Sequence, residues 1–217
     1  MLAFFRKEEV TVLDTWDVSG LRGTGSHDFE VHEQRVPAGR WVALGGRPNV
    51  DAPLYRFPTF GLLALGVSAV AIGIARRALD EFMELAGTKT PTGANRVLAN
   101  RAMVQRDVAM ATAELESAVA LTKQTIDDAY AIAAAGERLP QETKARLRLA
   151  AAHNAWTAAG VVDKVYHAAG GTAIYAKNAL QRCLRDVHVA TQHVMVAQPI
   201  YEVTGKVLLG LDPKQPL

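Results

Sequence analysis

From residue 59 onward, apolar side chains return every three or four positions, and before that they alternate over short runs. Residues 59–86 are rich in Ala, Leu and Gly and end at Gly87, which predicts a first helix. Residues 95–135 carry apolar side chains at 97, 104, 108, 111, 115, 119 and 126, a helical period sustained for a length of roughly 60 Å. Residues 141–169 predict a third helix that stops at the pair Gly170 and Gly171. Residues 178–209 predict a fourth, bent or split at Pro199, whose ring cannot sit inside a helix. Short loops between four consecutive helices point to an antiparallel four-helix bundle.

The amino-terminal part differs. Residues 10–13, 16–18 and 29–32 read as short strands separated by Gly20, Gly23, Gly25 and Pro37. Two or three such strands cannot bury a face alone, so they must dock onto something or belong to a larger sheet. The predicted fold is therefore mainly α, a four-helix bundle with a short β-rich segment ahead of it. Residues 42–57, with their glycines and prolines, read as the linker.

Composition narrows the function classes. The 24 basic and 22 acidic residues nearly cancel, leaving +2, so nothing suggests nucleic-acid binding. Cys183 is the single cysteine, which excludes an intrachain disulfide and a cysteine-built metal site; it reads as a small apolar filler. Residues 1–10 hold too short an apolar run for a secretion signal, and a cytoplasmic location is expected. Residues 57–75 are uncharged and long enough to approach a membrane span. Their pattern continues into Arg76, Arg77, Asp80 and Glu81, so a helix buried in a bundle is the expectation, with no membrane partner.

Three stretches carry chemistry. The first runs Trp16-Asp17-Val18-Ser19-Gly20-Leu21-Arg22-Gly23-Thr24-Gly25-Ser26-His27-Asp28. The second is His167-Ala168-Ala169-Gly170-Gly171-Thr172, leading to Leu180-Gln181-Arg182, and the third is Arg185-Asp186-Val187-His188 with His193, then Tyr201-Glu202-Val203-Thr204. Together they resemble the carboxyl-terminal half of the acyl-CoA dehydrogenase superfamily. The resemblance is stronger to its branch of flavin-dependent two-component monooxygenases.

That resemblance implies a division into the tail of a middle β-domain (1–41), a linker (42–57) and a C-terminal bundle (58–217). It implies a flavin oxidoreductase, with hydroxylation by reduced flavin and O2 preferred over acyl-CoA desaturation, using FAD or FMN. The half of the family that binds the flavin ring is not among these residues, so this chain alone need not retain flavin. The family further implies a homotetramer built as a dimer of dimers and a flavin reductase partner.

Residue by residue, His193 matches a histidine beside the flavin that assists oxygen activation or substrate deprotonation, a role suited to a group that titrates near neutrality. Glu202 matches the dehydrogenase base, although Val203 replaces a glycine and its spacing from Asp186 is longer than in dehydrogenases. An ordinary carboxylate in a helix first turn is its other reading. On an ideal helix His188 and His193 lie about 140° apart, so His193 should face the cavity and His188 should face away, and the two should share no metal. Gly170 and Gly171 match a turn that approaches a flavin nucleotide; a glycine helix cap uses the same pair. Arg96 is near the place of an arginine on the flavin pyrophosphate. Arg22 and Ser26 are candidate substrate contacts, with a glycine-demanding tight turn as the alternative. A helical oligomerisation module without catalysis is the rival to all of these.

Overall fold

A computed structural model describes residues 1–43, 46 and 48–217. The proposed linker at 42–57 lies partly outside these residues.

Six α-helices occur among the described residues: α1 (Pro53–Arg56), α2 (Thr59–Thr88), α3 (Ala102–Ala134), α4 (Gln141–Ala169), α5 (Ala179–Thr191) and α6 (Pro199–Leu208). The bundle is formed by α2, α3, α4 and the broken arm α5–α6. Helix α4 is its axis, touching α2, α3, α5 and α6. Its buried Leu147, Ala150, Ala152, Ala155, Ala159 and Val161 lie on several faces. Such encirclement needs small side chains, because packing at crystal-like density leaves no room for larger ones where three helices converge. Alanine supplies them here: Ala64, Ala71, Ala75 and Ala78 of α2 are also fully buried, and Phe82 fills the remaining volume.

Helix α2 is long and apolar enough to cross a membrane. Its buried stripe nevertheless packs on α4 and α5. The expected bundle-core role is therefore seen for one face, while Leu62, Leu63, Val70 and Met83 stand exposed on the other.

The third and first predicted helices agree with α4 and α2 to within two residues. The predicted 95–135 helix starts later, at Ala102. A 3-10 turn at Leu98–Asn100 precedes it, and the Leu98 N–H donates to the Lys89 carbonyl at 2.9 Å, which folds the loop back on the end of α2. The predicted 178–209 helix is two helices, as Pro199 requires.

Among the described residues, four strands precede the bundle. β1 (Leu2–Ala3) pairs antiparallel with β4 (Trp41–Val42), and β2 (Thr11–Leu13) pairs antiparallel with β3 (Asp28–Glu30), with Val12 opposite Phe29. Residues 16–18 are not a strand, contrary to the alternation. The Trp16 indole N–H donates to the Leu21 carbonyl at 3.2 Å and its backbone N–H donates to His27 Nδ1 at 3.2 Å, so the chain curls on itself there. Among described residues 1–43, Gly20 alone is buried. The linker is not featureless: α1 starts on Pro53, and the Arg56 guanidinium donates to the Ala133 carbonyl at 3.1 Å, tying it to the end of α3.

Candidate active site and nucleotide cleft

Two places on the bundle gather the expected residues. The first surrounds the end of α4. Gly170 has φ +59° and ψ −150°, a conformation that a side chain all but forbids, and its N–H donates to the His167 carbonyl to cap the helix. Lys89 pins this end by donating from Nζ to the Ala169 carbonyl at 2.7 Å. A Cβ built on Gly170 or Gly171 would meet nothing within 4 Å, so the turn's exposed backbone is open to a ligand. The cap explains Gly170, and the open flank leaves the second reading of the pair standing.

Beyond the turn lies a cleft of about 530 Å³ lined by Arg77, Glu81, Thr172, Lys177, Asn178 and Arg182, among others. Its wall includes the amino end of α5, where the Asn178 side chain accepts the Leu180 N–H at 2.9 Å. Arg77 pairs with Glu81 in the same wall, so Lys177, Arg182 and the amino end of α5 are what give the cleft a net positive character suited to an anion. The sequence drew notice to the glycines but not to Arg77 and Lys177, whose meeting depends on α2 crossing α5. Arg96 is elsewhere, exposed in the loop before α3 and not at a helix start, because the 3-10 turn intervenes.

The second place is the joint between α5 and α6. Helix α5 ends at Thr191, so His193 is not on it and the helical phase relation to His188 does not apply. His193 is exposed; its N–H donates to the Ala190 carbonyl at 3.2 Å, and its Nδ1 accepts the Met195 N–H at 3.2 Å. With Nδ1 an acceptor, Nε2 carries the proton of the neutral ring. His188 is held differently. It bonds Asp163 of α4 at 2.7 Å, while His167 Nδ1 bonds the Asp163 carbonyl at 2.8 Å, so it serves as a strap between helices. Glu202 is exposed in the first turn of α6 and pairs with Lys206 Nζ at 2.7 Å, which lowers its carboxyl pKa. That is the ordinary first-turn geometry.

The segment containing Arg22 and Ser26 docks beside this arm. The Leu21 N–H donates to Asp186 Oδ1 at 2.7 Å, and Arg185 Nη1 donates to the Ser19 carbonyl at 2.8 Å. Gly20 is pressed so close to α5 that a Cβ would sit 2.3 Å from the Arg185 carbonyl oxygen. Arg22 and Ser26 are themselves exposed; Arg22 stands 3.9 Å from Asp17, and Ser26 Oγ donates to Thr24 Oγ1 at 3.2 Å. The structure brings their loop onto the helix that leads to His193. It does not join them to the Gly170–Gly171 turn or to the cleft beyond it.

Comparison with known proteins follows the same lines. The chain is 37% identical over 213 residues to the indole-3-acetate monooxygenase of Pseudomonas putida, covering 98% of this chain and 54% of that protein. It superposes on the crystal structure of the HsaA monooxygenase from M. tuberculosis with a TM-score of 0.87 at 26% identity, covering 98% of this chain and 57% of that one. It superposes on XiaF from Streptomyces sp., solved in complex with FADH2 and glycerol, with a TM-score of 0.82 at 26% identity, covering 96% of this chain and 55% of that one. The chain thus spans about half the length of the relatives it matches. Residues 65–198, more than half of it, match the C-terminal domain of acyl-CoA dehydrogenases, and on that match the chain belongs to the acyl-CoA dehydrogenase C-terminal domain family.

Proposed function

We propose that this chain is the carboxyl-terminal part of a flavin-dependent monooxygenase, with residues 1–41 the tail of its middle β-domain, 42–57 its linker and 58–217 its bundle. The observation that carries the reading is the joint after α5, where the exposed His193 follows the helix on which Arg185 and Asp186 hold the glycine loop. The likeness to a monooxygenase at 37% identity supports it.

A reduced flavin, when bound, supplies the two electrons with which O2 is split between the hydroxylated aromatic substrate and water. The chain's own residues do the rest. His193, held by the Met195 N–H, accepts or gives a proton at Nε2 beside the reacting atoms. Lys177, Arg182 and the amino end of α5 would receive the phosphate of a flavin nucleotide in the cleft, beside the open backbone of Gly170 and Gly171 at the neighbouring turn, while Arg77 is paired with Glu81 and Arg96 stands apart in the loop before α3. Arg22 and Ser26 border the substrate. Glu202, paired with Lys206, stays outside the chemistry.

A separate reductase provides the reduced flavin, and the protein assembles as a homotetramer. The exposed apolar side chains of α2 and α3, among them Leu62, Val70, Met103 and Met110, support assembly, since patches of this kind seldom face water. The test is product formation by the complete protein given reduced flavin and O2, with mass measured by light scattering. A flavin-dependent oxidation of acyl-CoA without O2 incorporation would replace this reading with the dehydrogenase one.

A further inference from the structure

Trp156 and Arg148 lie about two turns apart on α4, and both reach the backbone of the α5–α6 joint. The Trp156 indole N–H donates to the Val196 carbonyl at 3.0 Å, and Arg148 Nη2 donates to the Met195 carbonyl at 3.3 Å. One helix thus holds two consecutive carbonyls of one turn. A half-buried indole N–H can only donate and commonly finds some acceptor. What sets this one apart is the turn on which it acts.

That turn has little freedom left. The His193 carbonyl accepts the N–H groups of Val196 and Ala197 at 2.9 and 3.0 Å. The Val196 side chain is buried in the core and anchors the turn, while Val194 stands exposed. Met195 gives its N–H to His193 Nδ1 and its carbonyl to Arg148, and the next carbonyl along goes to Trp156. Peptide units are planar and swing as rigid plates. With the plates that follow Met195 and Val196 held by α4, the plate that carries the Met195 N–H has little room to swing away from the imidazole.

We infer that Trp156 is a positioning residue for His193: by holding the Val196 carbonyl, with Arg148 on the Met195 carbonyl, it keeps the Met195 N–H on Nδ1 and so leaves the chemistry to Nε2. The inference deepens the proposed function and rests on it in taking His193 as the group that moves the proton.

Trp156→Phe removes the donor and keeps an aromatic ring in place, and two measurements on the complete protein test it. Hydrogen exchange followed by mass spectrometry needs neither flavin nor substrate. The amides of residues 195–197 should exchange about fivefold faster in the variant, the effect of one lost neutral hydrogen bond, with the rest of α4 unchanged. Hydroxylation should lose about fivefold in kcat while KM stays within about twofold. That loss should vanish when Trp156→Phe is made in His193→Ala, because a residue that acts only through another has nothing left to act on. Unchanged exchange at the joint, or an equal loss of rate with and without His193, would overturn the inference and leave Trp156 as packing alone. Should Trp156→Phe not fold, replacing Trp156 by benzothienylalanine keeps the shape without the N–H and gives the same two readings. Faster exchange at the joint in a protein whose wild type does not hydroxylate would remove the monooxygenase reading and leave the hold of Trp156 on the His193 turn standing.

Discussion

The bundle and the segment before it hold together by opposite means. The bundle is closed from within, by alanines and a few large side chains that α4 gathers from its neighbouring helices. Residues 1–43 have one buried residue, Gly20, and expose Phe4, Val12, Phe29 and Trp41. Their order comes from a handful of polar contacts, some within the segment and others onto α5, with Leu21 alone half-buried against the bundle core. The lesson is that the bundle is a stable support and the segment a part seated upon it, so damage to the two should be separable. The seat is on the helix that leads to His193.

The largest effect should come from the core. Phe82→Ala leaves a void at the contact of α2 with its neighbours and should cost about 3–5 kcal/mol, lowering the urea midpoint of the whole helical signal. Asp186→Ala strips the Leu21 N–H of its carboxylate partner and should cost about 1.5–3 kcal/mol. In that variant, proteolysis within residues 14–28 should rise while far-UV helicity is unchanged. Gly20→Ala forces a methyl group against the Arg185 carbonyl; a penalty of about 1–3 kcal/mol, typical of overpacking, should appear as a change in Trp16 fluorescence at constant helicity. If either docking variant melted the bundle as Phe82→Ala does, the two regions would be one cooperative unit.

The smallest effect is local and depends on pH. Arg40 holds Glu9 by two bonds, at 2.6 and 3.1 Å, and with the Arg6 N–H pulls its pKa from 4.5 down to about 2. A carboxyl whose folded pKa is depressed adds stability above its unfolded pKa and loses it as pH falls through the folded one. Protection of the amides in the β1–β4 pairing, taken relative to their intrinsic exchange rates, should therefore fall between about pH 4.5 and 2. Arg40→Gln should exchange fast at neutral pH already.

Legibility divides along the same boundary. Helices α2 and α4 could be read from the sequence to within two residues, because burial along them follows the helical period between clear glycine and proline stops. The start of α3 could not, since Val97 and Leu98 continue the apolar pattern through a 3-10 turn fixed by a contact to Lys89. Residues 16–18 alternate like a strand, but Trp16 spends its hydrogen bonds on Leu21 and His27. The β1–β4 pair joins two-residue strands nearly forty positions apart and leaves no local signal. At the site, the glycines, His193 and the docked loop stood out as residue patterns. The convergence of Arg77, Lys177 and Arg182, the strap from His188 to Asp163 and the hold of Trp156 and Arg148 on the α5–α6 joint exist only once helices cross. The position of His193 beyond the end of α5 depended on where that helix stops.

The most direct test of the account compares His193→Ala with Glu202→Gln in the complete protein, measuring hydroxylated product formed from reduced flavin and O2. His193→Ala should lower the rate by about 10² or more, the usual loss of a general acid or base, and Glu202→Gln should leave it close to wild type. A full rate in His193→Ala together with a collapse in Glu202→Gln would contradict the account and assign the proton transfer to the carboxylate.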